Sequence, residues 1–231
     1  MLLSFWSPKG GAGTSVFAAA CGLVLARHTN IRLADFGGDQ PGILGVSGEP
    51  ALGLADWLNT GAQAPAEALD RLEVDVGRGL TLLPRGERCA FDASPEAGAA
   101  LGVVLANDPR LTIADVGTAD TDALRAVVEV SDVSVVVLRD CYLALRRAAR
   151  TPLVARAAGL VVVEEEGRAL TTGALSDVLN LPVLATVPTR LGISRAVDAG
   201  VFASRMPDGL ERPARRLCMR LGVNGRQGRA A

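Results

Sequence analysis

The residues best suited to chemistry form one run near the N-terminus, Ser7-Pro8-Lys9-Gly10-Gly11-Ala12-Gly13-Thr14-Ser15. Gly10, Gly11, Ala12 and Gly13 would let successive backbone N–H groups turn inward around phosphate oxygens. A helix opening at Thr14 would add the positive end of its dipole. Ser15 is placed to offer a hydroxyl to Mg2+. Of the 24 Lys plus Arg residues, 23 are Arg and the single Lys is Lys9. Arg and Lys are not equivalent where a compact ammonium must approach phosphate oxygens. A glycine turn that joins a strand to a helix and holds no ligand fits the same spacing.

Two carboxylates stand at the ends of apolar runs. Leu33-Ala34-Asp35 precedes Phe36-Gly37-Gly38-Asp39, and Leu111-Thr112-Ile113-Ala114-Asp115 precedes Val116-Gly117-Thr118. The second has the form of a Walker B motif, an apolar strand closed by an acid and a glycine turn, which puts Asp115 near Mg2+. Asp35 reads either as a second acid at the same site or as a strand-end carboxylate capping its own turn. Asp39 reaches the site only along an altered loop path.

Other clusters carry less. Arg139, Arg146 and Arg147 follow an apolar strand and read as a solvated helix face, with contact to a partner or DNA as the alternative. Glu164-Glu165-Glu166 reads as a solvated loop. Leu210, Leu217, Cys218 and Leu221 share one face of a final helix, flanked by Arg212, Arg215, Arg216 and Arg220. That face packs on its own sheet or, as the less favoured reading, anchors to a membrane. His28, the only histidine, ends the first helix. Cys21, Cys89, Cys141 and Cys218 have no metal-ligand spacing and read as inert thiols in a reducing cytosol.

The elements that must position the loop are legible from pattern. Strands are expected at Leu2 to Ser7, Ile31 to Phe36, Leu80 to Leu83, Leu111 to Asp115, Val133 to Leu138, Leu160 to Val163 and Pro182 to Val187. Helices are expected at Thr14 to His28, Leu54 to Asn59, Pro65 to Leu72, Pro95 to Ala106 and Thr121 to Val130. Further helices are expected at Tyr142 to Ala158 (interrupted at Pro152), Thr171 to Leu179, Ile193 to Ala199 and Leu210 to Leu221. Gly37 to Gly42 reads as a loop. Continuous apolar strands alternating with helices mean an α/β fold, a mostly parallel sheet covered on both faces. The chain of 231 residues is 49% hydrophobic and 3% aromatic, so aliphatic side chains must fill the core. One domain over 1–221 and a flexible tail over 222–231 are expected. The apolar start is too short for a signal sequence or a membrane span, and a cytoplasmic location is expected. A net charge of -1 predicts no global pull on nucleic acid or anionic membrane.

Taken together, Lys9, Gly10, Gly11, Gly13 and Ser15 resemble the deviant Walker A motif of the ParA/MinD superfamily of P-loop ATPases, K-G-G-x-G-K-[ST]. The resemblance runs over roughly residues 1–205 in order and spacing. It implies a nucleotide-sandwich homodimer in which Lys9 contacts phosphate across the interface. It implies ATP or ADP with Mg2+ as ligands, phosphate contacts along Gly10 to Ser15, and Mg2+ near Ser15, Asp35 and Asp115. Leu181 to Pro188 is similar to the family's late strand and purine-side loop, which puts Pro188 near the base. The departures are specific. Thr14 stands where the family has its second lysine, and Gly37 where it has the acid that orients the attacking water. No Asn follows Val163 to read adenine. Hydrolysis is therefore expected to be slow or absent. A role in placing a machine, as in TadZ/CpaE-type pilus-localising proteins or partition factors, is the leading expectation, with an unidentified protein partner. A pseudo-ATPase scaffold is the alternative.

Overall fold

The computed structural model describes residues 1–87 and 93–223. Its elements are β1 (Leu2–Trp6), α1 (Thr14–Ala26), β2 (Ile31–Asp35), α2 (Gln40–Leu44), α3 (Leu54–Thr60), β3 (Val74–Gly77), β4 (Leu80–Leu83) and α4 (Pro95–Ala106). There follow β5 (Leu111–Gly117), α5 (Asp122–Glu129), β6 (Val133–Arg139), α6 (Tyr142–Ala148), β7 (Ala157–Glu164), α7 (Thr172–Leu179), β8 (Val183–Pro188), α8 (Leu191–Asp198) and α9 (Asp208–Arg220). Local chemistry starts several helices. The Ser94, Thr121 and Thr171 side chains accept from the amides of Ala97, Leu124 and Ala174 and so cap α4, α5 and α7.

The eight strands order as β3-β4-β2-β5-β1-β6-β7-β8, parallel except for the edge strand β3. β1 lies between β5 and β6, so the loop leaving it emerges at the sheet's centre. β2 pairs with β5 in a register that sets Asp35 opposite Asp115. Alternate residues divide the core. Leu3, Phe5, Leu33, Ile113 and Val135 face the side covered by α1, α8 and α9. Leu2, Trp6, Ala34, Val116 and Val136 face the side covered by α3 to α7.

At the opposite end from the site, Arg32 on β2 is 2% exposed and surrounded by acids. It pairs with Asp70 at 2.8 Å, with Asp108 at 2.7 Å and with Glu73. Arg110 joins the same acids, reaching Glu73 at 2.8 Å and Asp108 at 2.9 Å. This network ties the start of β2 to β3 and to the turn before β5.

Several expectations need correction. The helix expected over Tyr142 to Ala158 stops at Ala148; a 3-10 turn takes Pro152–Arg156, and Ala157 already belongs to β7. Proline lacks the amide and biases the preceding residue away from helix. Pro65 to Leu72 is a 3-10 turn from Ala66 rather than an α-helix. The first helix ends at Ala26, so His28 lies in the turn after it. The loop expected over Gly37 to Gly42 is cut short by α2, and β3 was not expected at all. The Arg78-Gly79 turn, with φ 55° and 83°, folds β3 back on β4.

The apolar face of α9 is buried: Leu210, Ala214, Leu217 and Cys218 pack in the core. Arg220 donates to the carbonyls of Val183 and Leu184 on β8. The face a membrane anchor would need is thus covered. No helix among the described residues is long and apolar enough to cross a membrane. Cys89 and most of the expected tail, 224–231, lie outside the described residues.

Candidate functional site

The loop after β1 holds an open backbone cradle. Gly11 and Gly13 adopt φ 77° and 84°, the left-handed region that glycine enters without strain. With Ala12 between them, the chain turns its amides to one side. Ser7 fastens the entrance. Its amide donates to the Gly117 carbonyl at 2.8 Å and its hydroxyl donates to the Lys9 carbonyl at 2.7 Å. Among the described residues, no backbone or side-chain acceptor pairs with the amides of Gly10, Gly11, Ala12, Gly13, Thr14 or Ser15. They border a cavity of about 830 Å³ that Lys9, Gly37, Asp39, Gly117, Thr118 and Asp198 also line.

Two carboxylates lie buried behind the part of the cavity wall that Ser15, Gly37 and Gly117 form. Asp35 and Asp115 are both fully buried. Asp35 accepts from the amides of Gly38 at 2.7 Å and Gln40 at 3.1 Å. Asp115 accepts from the Gly117 amide at 3.3 Å, from the Gln40 side chain at 2.9 Å and from the Ser15 hydroxyl. Burial, then the charge of Asp115 beside it, pushes Asp35 up to about 7. Burial likewise raises Asp115, against the opposing hydrogen bonds of Gln40, Ser15 and Gly117.

Gly37 marks the centre. A Cβ on it would lie 3.7 Å from Asp115 Oδ2, 3.7 Å from Asp35 Oδ1 and 3.8 Å from Ser15 Oγ. Three hard oxygens thus converge on one point. Gln40 reaches the same place, its Nε2 on Asp115 and its Oε1 buried without a partner. This donor set suits Mg2+, which takes oxygen ligands. Bound there, the cation would neutralise phosphate charge. Ser15 and the two aspartates would hold it.

The remaining expected residues are placed as follows. Thr14 is buried at the base of the loop and lines the cavity. Asp39 is exposed but does line it, so the loop path brings it in. Pro188 is not on this cavity. It lines an adjoining space of about 280 Å³ with Arg139, Val163 and Val187, which meets the loop at Gly11 to Gly13. Sequence reasoning missed Gln40 and Arg85. Arg85 donates to the Gly37 carbonyl at 2.7 Å. Its guanidinium lies against Gly38, where a Cβ would meet Cζ at 2.3 Å and φ is 91°. A side chain there would push the guanidinium aside and adopt a strained positive φ.

No family model matches the chain. Among solved structures it is similar to a ParA family ATPase from Chlorobium tepidum, at TM-score 0.78 and 20% identity, over 95% of this chain and 98% of that one. It is similar to MinD from Aquifex aeolicus, at TM-score 0.79 and 18% identity over 96% and 97%. It is similar also to the septum site-determining protein MinD of Pyrococcus horikoshii, solved with Mg-ADP, at TM-score 0.78 and 18% identity over 99% of both chains. The chain therefore has the P-loop fold of the ParA and MinD ATPases. By sequence it is 29% identical over 234 aligned residues to the uncharacterized protein Rv3660c of Mycobacterium tuberculosis. That match takes in 96% of this chain and 65% of the relative's length.

Proposed function

We propose that the chain is a nucleotide-binding positioning factor of the ParA/MinD kind. ATP or ADP with Mg2+ would seat its phosphates in the loop of Gly10 to Ser15. Lys9 would reach a phosphate across a face-to-face homodimer, and the dimer would engage a protein partner. Hydrolysis would be slow or absent, because Thr14 brings no charge to the phosphates and Gly37 cannot orient a water. Placement of a pilus or secretion machine, as for TadZ/CpaE-type proteins, is the finer form of this reading.

The observation that carries it is the cradle: six amides without protein partners on residues that line a cavity, with Ser15, Asp35 and Asp115 gathered around Gly37 in its wall. Support for the ligand comes from the MinD of Pyrococcus horikoshii, solved with Mg-ADP on the same fold. Support for a protein partner comes from the Aquifex aeolicus MinD, solved in complex with MinC.

A second reading, a scaffold that needs no nucleotide, is favoured by the way protein donors already satisfy Asp35 and Asp115. One experiment decides. ATP with Mg2+ is titrated into the wild type and Lys9→Ala, with binding followed by calorimetry and mass by light scattering. The positioning reading expects binding by both and dimers of the wild type only. Binding by neither leaves the scaffold; nucleotide-dependent dimers of Lys9→Ala sink the trans-lysine.

A further inference from the structure

Gln40 is a polar side chain enclosed at the heart of the site. It is fully buried at the first position of α2. Its Nε2 donates to Asp115 Oδ2 and to the Ser15 carbonyl, both at 2.9 Å. Its own amide donates to Asp35 Oδ2 at 3.1 Å. One residue therefore supplies donors to both acids and to the serine's backbone. Its Oε1 has no partner among the described residues. The orientation follows from the partners, since turning the carboxamide over would set Oε1 against two acceptors.

A buried carboxamide with half of its polar capacity unpaired is an unusual arrangement, because such an oxygen ordinarily finds a donor. Here the arrangement has a physical logic. Two neighbouring buried carboxylates need positive potential between or beside them. In a metal-free chain the donor end of an amide dipole is a neutral side chain's means of supplying it.

We propose that Gln40 is a built-in stand-in for the cation, bonded to Asp115 while the site holds no metal and displaced from it when Mg2+ enters. This rests on the reading that Ser15, Asp35 and Asp115 serve Mg2+. On entry the carboxamide swings aside. The two Nε2 bonds are released, and the cation takes their place beside Asp115. The exchange makes metal binding compete with an internal hydrogen bond, so the wild type binds Mg2+ more weakly than its oxygens alone would.

The test is titration of Mg2+ alone into metal-stripped wild type and Gln40→Met, which keeps the side chain's length and removes its donors. Calorimetry is expected to show about tenfold tighter Mg2+ binding by Gln40→Met, the scale of one lost hydrogen bond to a charged group. Equal or weaker binding by the variant overturns the stand-in while leaving the nucleotide reading intact. Absence of both Mg2+ and Mg-ATP binding in every protein overturns both. Should the variant not fold, the wild type still decides by NMR. The Gln40 side-chain N–H signals are expected to be protected from hydrogen exchange in chelator and to lose that protection at saturating Mg2+. Protection that persists with metal bound overturns the proposal.

Discussion

Asp35→Asn, followed across pH in metal-free buffer, tests the carboxylate pair that strand register creates. Asp35, at the end of β2, faces Asp115, two residues before the end of β5, and both are buried. Burial first, and the Asp115 charge second, raise Asp35 from an ordinary 3.8 to about 7. A carboxyl raised in this way holds its proton more tightly in the folded chain than in the unfolded one. Between pH 3.8 and about 7 the folded state therefore carries more proton at this position. Its contribution to stability is full below the unfolded value and is lost as pH rises through the folded one. The slope for one group is about 1.4 kcal/mol per pH unit. Asparagine does not titrate. Its amide would face the N–H of Gly38 or Gln40, a penalty of about 1–3 kcal/mol that is the same at every pH. The difference in unfolding free energy between wild type and variant thus reports the Asp35 carboxyl together with its coupling to Asp115. Measured by urea denaturation in chelator, the wild type should gain roughly 3 kcal/mol on the variant from about pH 7 to about pH 5. A flat difference would refute the buried-pair argument. A difference of opposite sign would mean that the folded chain holds Asp35 ionised, below its ordinary range.

Two further predictions concern the departures in the site and the network beneath it. Under the proposed function, Thr14→Lys combined with Gly37→Asp should raise ATP turnover at least about tenfold by phosphate release, since it would supply a phosphate clamp and a water-orienting acid. Gly37 has room for a Cβ, with its nearest neighbours at van der Waals distance, and unchanged turnover would show that other features limit the chemistry. Arg32→Met should lower stability by about 3 kcal/mol, because it leaves Asp70, Glu73 and Asp108 short of their buried cation. A loss below about 1 kcal/mol in denaturant titration would mean that Arg110 alone satisfies those acids.

What sequence made legible was local. The glycine spacing, the loop's place between a strand and a helix, and Asp115 at the end of an apolar run all depend on neighbours within a few residues. Each was found where expected. The pairing of Asp35 with Asp115 depends on β2 lying next to β5 in a register that runs Ile31 to Leu111 through Asp35 to Asp115. Nothing in either segment alone specifies that partner. Arg85 is 48 residues from the carbonyl it holds, and only the adjacency of β2 and β4 brings it there. Gln40 could have been found. Pro41 in the first turn of α2 marks a helix start. A helix opening there fixes Gln40 at its base, where a loop reading leaves its direction open.

The departures at Thr14 and Gly37 and the presence of Gln40 act on one quantity, the balance of charge at the centre of the sheet. A lysine at 14 would bring one positive charge to the loop, and an aspartate at 37 would bring one negative charge to within reach of Asp35 and Asp115. Both are missing, so the site loses opposite charges together and keeps its net balance. What remains negative is answered from within. Backbone amides of Gly38, Gln40 and Gly117 serve the two acids, and the Gln40 side chain serves Asp115. A site balanced in this way is satisfied while empty, unlike one in which a third carboxylate crowds two others and requires a cation. Under the proposed function the consequence is directional. Ligand binding gains little from relieving repulsion and must draw on the unpaired loop amides and on Lys9. Affinity should therefore respond more to substitutions along Lys9 to Gly13 than to changes at Asp115.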